Sequence, residues 1–246
     1  GDVQRSIEIN IGYLYLDTGM YKEARQYFLS AYARYMAAPE NERDISRLTM
    51  IYTNLAESYM LEGDMDNTAQ YIDRIEAECK PHFGEMDNIY VDSLCARFHH
   101  LIGDAYKRDM YIADLEKRLG GRVLIMDIFG DLYEFCLLML ELDRDDIVAE
   151  IINKIEEPIK KTRIANIKRK YLELKIRLYR RNKCEQKCIE AMNSFFDLSV
   201  QLENDKQKMI ATILRVRNSL DTIKERQKQL ELETQRLSEK AETDQF

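Results

Sequence analysis

Two cysteines four residues apart, in "CEQKC" (184–188), are a pair whose types and spacing suit chemistry. On a helix Cys184 and Cys188 would share one face, where two thiolates can begin a metal site or a redox pair. A zinc site needs two further ligands, and neither a histidine nor a third cysteine lies nearby in the sequence. His99 and His100 are adjacent, so one packs or points away while the other faces a ligand. The carboxylate pairs Asp145-Asp146 and Glu156-Glu157 read as helix-end or solvated charges. The sequence holds no phosphate-cradling glycine loop and no nucleophile motif. These residues predict no catalysis, no metal and no cofactor, so the chain reads as a binding protein and not an enzyme.

The elements that position such residues are helices. Only nine glycines and three prolines punctuate 246 residues, and neither type occurs after Pro158. The stretches between them carry apolar residues at a period of 3.6, which predicts an all-α chain. A net charge of −7, interleaved along the sequence, argues against nucleic acid as a partner. No apolar run reaches the ~18 residues a membrane span needs. Cys79, Cys95 and Cys136 sit within apolar stretches, as reduced thiols of a cytoplasmic protein do.

One stretch, "INIGYLYLDTGMYKEARQYFLSA", holds Ile11-Gly12, Tyr15, Gly19, Tyr21, Ala24, Phe28 and Ala31. Small residues at Gly12 and Ala24 let two antiparallel helices approach, Tyr15 and Phe28 fill the space around that contact, and Gly19 permits the turn. These residues and spacings resemble the tetratricopeptide repeat, with L-G-x-x-Y on one helix and A-x-x-x-F-x-x-A on the next. "YTNLAESYMLEGDM" repeats Leu55-Ala56, Tyr59 and Gly63 at the same relative positions. Gly103, Asp143 and a position near Lys183 continue the series at forty-residue steps. The resemblance implies an all-α, tetratricopeptide-like α-solenoid of about five helix pairs over 2–203. HEAT-like repeats share the period of ~40 residues but not the Gly-Tyr-Ala-Phe-Ala spacing. Loops are expected at 38–44, 80–87 and 119–121, and Pro158 is expected to start the first helix of the fifth pair.

Such a solenoid presents its ligand groove on the face lined by the first helix of each pair. Carried over position by position, the resemblance implies a groove of Ile9, Tyr13, Thr53, Glu57, Met60, Tyr90, Ser93, Arg97, His100, Tyr133, Leu137, Lys170 and Arg177. The central candidates are Tyr13, Glu57, Arg97, His100, Tyr133 and Arg177. Asn10 and Asn54 fit part of the lysine-asparagine clamp for peptide carboxylates, but Tyr13 and Glu57 replace its groove asparagines. The implied ligand is an extended peptide or protein segment. The competing expectation is that several of these residues are core.

From Met209 onward, Met209, Ile213, Val216, Leu220, Ile223, Leu230 and Leu237 recur at steps of three and four, with Gln227 and Thr234 in the same register. This is a heptad seam, expected to pair two copies as a coiled-coil helix over 204–246. Carried backward, the phase meets Cys188, Met192, Phe195 and Leu202, which predicts one continuous helix with Asn204-Asp205 as its possible break. A helix folded back on the repeats is the alternative. The uncapped ending "LSEKAETDQF" resembles the junction into a GGDEF-type diguanylate cyclase domain, with Ala241, Asp244 and Phe246 at that domain's opening positions. The cyclase signature itself is missing, and "GDLYEF" at 130–135 has the wrong spacing. The resemblance implies a cytoplasmic sensory module whose homodimerisation controls a cyclase making cyclic di-GMP. A standalone scaffold, the sensor region of a histidine kinase and a peptide-responsive regulator are the other expectations.

Overall fold

The protein is described by a computed structural model over residues 2–119, 128–208 and 226. The helices come in pairs: α1 (Asp2–Asp17) with α2 (Tyr21–Ala37), and α3 (Ile45–Glu62) with α4 (Met65–Arg74). Next come α5 (Glu85–Leu101) with α6 (Ala105–Leu119), α7 (Phe129–Glu141) with α8 (Asp145–Lys161), and α9 (Ala165–Arg181) with α10, helical over 185–208. No strand occurs among the described residues, so the chain is an all-α, tetratricopeptide-like helical repeat. It divides into two compact units, one ending at Lys161 and the other beginning at Thr162.

Every pair turns in the same way. Five described residues away from the termini have positive φ: Gly19 (78°), Gly63 (87°), Gly103 (78°), Asp143 (58°) and Lys183 (54°). Their spacing is the forty-residue series seen in the sequence. Each donates its N–H to the carbonyl three residues back, and the following residue donates to the carbonyl five back. At the second turn Gly63 N reaches Met60 O at 3.1 Å and Asp64 N reaches Tyr59 O at 2.9 Å. At the fifth, Lys183 N reaches Arg180 O at 3.3 Å and Cys184 N reaches Tyr179 O at 2.9 Å. This is the Schellman arrangement, which satisfies the orphan carbonyls of the first helix. The residue after the turn can cap the second helix: Asp64 accepts from Asn67 N at 3.1 Å, and Asp104 accepts from Lys107 N at 3.1 Å. The Asn67 amide and backbone N–H hold the Asp64 carboxyl below the usual carboxylate range.

Seven residues before each turn stand Gly12, Ala56, Ala96, Cys136 and Ile176, and nine after it stand Phe28, Ile72, Ile112, Ile152 and Met192. The smallest member of the first column faces the bulkiest of the second: a Cβ on Gly12 would lie 2.5 Å from Phe28 Cε1. Phe28, Ala56, Ala96 and Cys136 are fully enclosed, whereas Met192 in the fifth pair is half-exposed. The second helix of the first pair also grips the next pair. Arg25 donates to Ser58 O at 3.2 Å, pairs with Glu62, and lies 4.5 Å above the Tyr59 ring. Tyr32 packs on Tyr52 with ring centroids 5.6 Å apart. The first helices α1, α3, α5 and α7 thereby lie side by side.

The places of Pro158 and of one loop are corrected. Pro158 lies inside α8 and does not start the fifth first helix, which begins at Ala165. Proline removes one helical hydrogen bond, but Ile152, Ile155 and Ile159 are buried on either side of it and hold the helix together. Asn204-Asp205 is no break, because the backbone stays helical from 185 through 208. The loop at 80–87 is shorter than expected, since α5 starts at Glu85 and a 3-10 turn covers Lys80–His82. Gly120 and Gly121 lie outside the described residues, as do the seam residues Met209, Ile213, Val216, Leu220, Ile223, Leu230 and Leu237 and the ending 241–246.

Candidate functional site

Six residues before each turn stand Tyr13, Glu57, Arg97, Leu137 and Arg177. Because α1, α3 and α5 are neighbours, the first three residues of this column meet. The Arg97 guanidinium is one-tenth exposed; its Nη2 lies 2.8 Å from Glu57 Oε1 and its Nη1 3.6 Å from Glu134 Oε2. Glu134 comes from α7, as does Asp131, whose main-chain carbonyl accepts from Ser93 Oγ at 3.3 Å. Tyr13 crosses from α1 to α7, with its hydroxyl 2.7 Å from the point a Cβ on Gly130 would occupy. Tyr13 as a whole is 44% exposed. One phenol, three carboxylates and one guanidinium from four helices thus converge on one first-helix face.

The charges in this cluster act on one another through a poorly solvated medium. Burial pushes the Asp131 carboxyl up to about 7, with repulsion from Glu57 adding to it and Arg97 opposing it. Burial also raises the Tyr13 phenol, and Glu57 and Asp131 raise it further. For Arg97, burial acts to lower the guanidinium, but Glu57 and Glu134 outweigh it and hold the group above its ordinary value. Arg97 Nε is buried with no hydrogen-bond partner among the described residues. The arrangement orients charge and hydrogen-bond donors; it pairs no nucleophile with a base. Among the described residues no group of three histidine, cysteine, aspartate or glutamate side chains is set to hold a metal.

The other candidates are placed as follows. Tyr133 is 7% exposed and belongs to the core of the fourth pair. Ile9, Thr53, Met60 and Ser93 are likewise buried. His100 lies at the surface with Nε2 3.3 Å from Glu141 Oε2, while His99 is enclosed and stacked on Tyr111 with centroids 5.7 Å apart. Arg177 belongs to the second unit, where Glu173 holds it at 2.6 Å. Cys188 is buried with its thiol 3.9 Å from Ile176 O, and Cys184 is exposed. Sequence reasoning missed Asp131, Glu134 and Gly130. Their signal is present in "GDLYEF", where Asp131 and Glu134 stand three apart and so share a helix face.

The tetratricopeptide repeat family matches residues 9–34, the stretch that forms most of the first pair. No curated protein and no solved structure matches the chain. No helix among the described residues is long and apolar enough to cross a membrane. The family match and the all-helical fold together define a tetratricopeptide-type region, a type of fold that serves protein–protein interaction.

Proposed function

We propose that the protein is a non-catalytic, cytoplasmic sensory module: a peptide or protein segment binds its first-helix face, and α10 carries the response into a coiled coil that pairs two copies. Downstream of that coil, in this reading, stands a diguanylate cyclase domain, which needs two catalytic domains face to face to join two GTP molecules. The observation that carries the reading is continuity. Helix α10 runs without a break through Asn204-Asp205 to 208, and the heptad positions from Met209 onward continue in the same phase as Cys188 and Phe195. A rigid helix that starts as part of the last repeat pair transmits a displacement of that pair to whatever follows it.

Sedimentation of the protein beside an Ile213→Asp, Leu220→Asp variant tests the pairing. Each large apolar side chain in a seam contributes about 1.5–3 kcal/mol on burial, so two carboxylates there are expected to convert a dimer to a monomer. A parent that is monomeric at tens of micromolar, or a variant that stays dimeric, refutes the seam. The coding sequence after the Phe246 codon tests the output: a GG-D/E-EF motif there supports the cyclase, and a stop codon removes it.

A further inference from the structure

We propose that copies of this chain dock end to end: the open face of α10 in one copy receives the open face of α1 in the next. This contact is separate from the heptad seam and goes beyond the proposed function. The first junction shows which positions join two pairs. Arg25, six residues after its turn, donates to the carbonyl of Ser58, five residues before the next turn, at 3.2 Å. Tyr32, thirteen after the turn, meets Tyr52. A column of second-helix residues thus packs on a column of first-helix residues of the following pair. The end pairs leave these columns uncovered. Five before each turn stand Leu14, Ser58, Phe98, Leu138 and Leu178; the last four are enclosed, whereas Leu14 is 66% exposed. Ile7 is half-exposed where α3 has the fully enclosed Ile51.

The fifth pair is open on the opposite side. Nine after each turn, Phe28, Ile72, Ile112 and Ile152 are enclosed and Met192 is not. Ile189 and Phe196, at the places of Arg25 and Tyr32, are 53% and 67% exposed. With Val200 they form one apolar stripe along α10, at helical steps of three and four. Such a stripe marks an interaction surface, and the repeat itself says what fits it. Its complement at the first junction is the column five before the turn, and among the described residues α1 alone presents that column to solvent. In the geometry of that junction Ile189 meets Leu14, so two apolar side chains stand where Arg25 and Ser58 make a polar contact. The chain supplies no following pair at the usual place. Helices α2 and α8 end at Ala37 and Lys161, equivalent to position 201 in the fifth pair, whereas α10 is still helical at 208. The occupant is therefore a second copy. Because the contact joins unlike faces, each added copy leaves one face open and copies add head to tail.

The test is sedimentation equilibrium of the full 246-residue chain carrying Ile213→Asp and Leu220→Asp, so that the seam does not contribute. Its average mass is expected to keep rising with concentration, past that of two copies. Leu14→Glu or Ile189→Glu added to this chain places a carboxylate in the contact. Each is expected to raise the concentration at which association begins by about tenfold or more. An equimolar mixture of those two variants is expected to form species of two copies and no longer ones, because one partner keeps its α10 face and the other its α1 face. A mass that stays at one copy up to millimolar protein overturns the contact, as does a mixture that forms no two-copy species. Weakening by Ile189→Glu that Leu14→Glu does not share would mean that two α10 faces pair with each other, and overturns it too. A thermal melt of Ile189→Glu gives a further check: an unchanged midpoint supports an open stripe, and a lowered one in monomeric protein places later residues of the same chain on it and refutes the docking. Dimers of the unsubstituted chain with only monomers of the seam variant would keep the seam and remove the end-to-end contact. Equal head-to-tail association of both would do the reverse.

Discussion

Replacing Gly12 with alanine should destabilise the protein even though alanine is the better helix former. In an open helix the change gains about 1 kcal/mol. Here the new Cβ would stand 2.5, 2.8 and 3.0 Å from Phe28 Cε1, Cδ1 and Cζ. Carbon pairs are at rest at ~3.5–4.0 Å, so the ring must retreat by about 1 Å. Phe28 is fully buried, between the two helices of the first pair, and has nowhere to retreat without moving α1 from α2. Overpacking of this kind costs about 1–3 kcal/mol and here outweighs the helical gain, leaving a net loss of up to about 2 kcal/mol. In a chain of this size that lowers the thermal midpoint by roughly 2–4 °C per kcal/mol. Gly130→Ala is the matched control. Its Cβ meets the Tyr13 hydroxyl at 2.7 Å, the far end of a half-exposed side chain that can rotate away. That variant should be neutral or more stable by up to about 1 kcal/mol. Urea unfolding with both midpoint and slope recorded reads the difference, and Gly12→Ala combined with Phe28→Leu should recover part of the loss. A Gly12→Ala protein as stable as the parent would show that the helix approach does not depend on a missing side chain.

Lys183→Gly should stabilise by up to about 1 kcal/mol, because Lys183 holds φ 54° at a turn where three of the other four repeats have glycine; a lower urea midpoint would refute the turn assignment. The contribution of Asp131 to stability should also fall as pH rises from about 4 to 7. The folded pKa of Asp131, about 7, lies above the ordinary carboxylate value of about 3.9. Its contribution is therefore complete below the unfolded value and is lost as pH rises through the folded one. Asp131→Asn should flatten that slope relative to the parent in urea titrations, and an unchanged slope would mean that Asp131 is already ionised.

The repeat was legible because it is local chemistry. A left-handed turn residue, a small residue seven before it and a large apolar one nine after it recur within forty residues of chain. The positive φ at Asp143 and Lys183 shows how far spacing alone carries, since neither is a glycine. Helix ends were less legible. Pro158 looked like a start signal because a proline is disfavoured inside a helix, and the burial of Ile152, Ile155 and Ile159 outweighs that local preference.

The composition of the site divides along the same line. That Tyr13, Glu57 and Arg97 share one repeat position is a property of the sequence, and period alone brings them to one face. Whether a residue on that face is presented or enclosed depends on the neighbouring helices. Tyr133 is packed into the core and Arg97 is clamped between Glu57 and Glu134, so substitutions at either report stability as well as binding. The charge balance is tertiary as well. Asp131 and Glu134 belong to the fourth pair, yet α7 packs against α5 and directs them at the guanidinium of the third. A pattern along the chain specifies which residues lie on a helix face; only the packing of α1, α3, α5 and α7 decides which charges share one poorly solvated space, because that depends on distances between residues far apart in sequence.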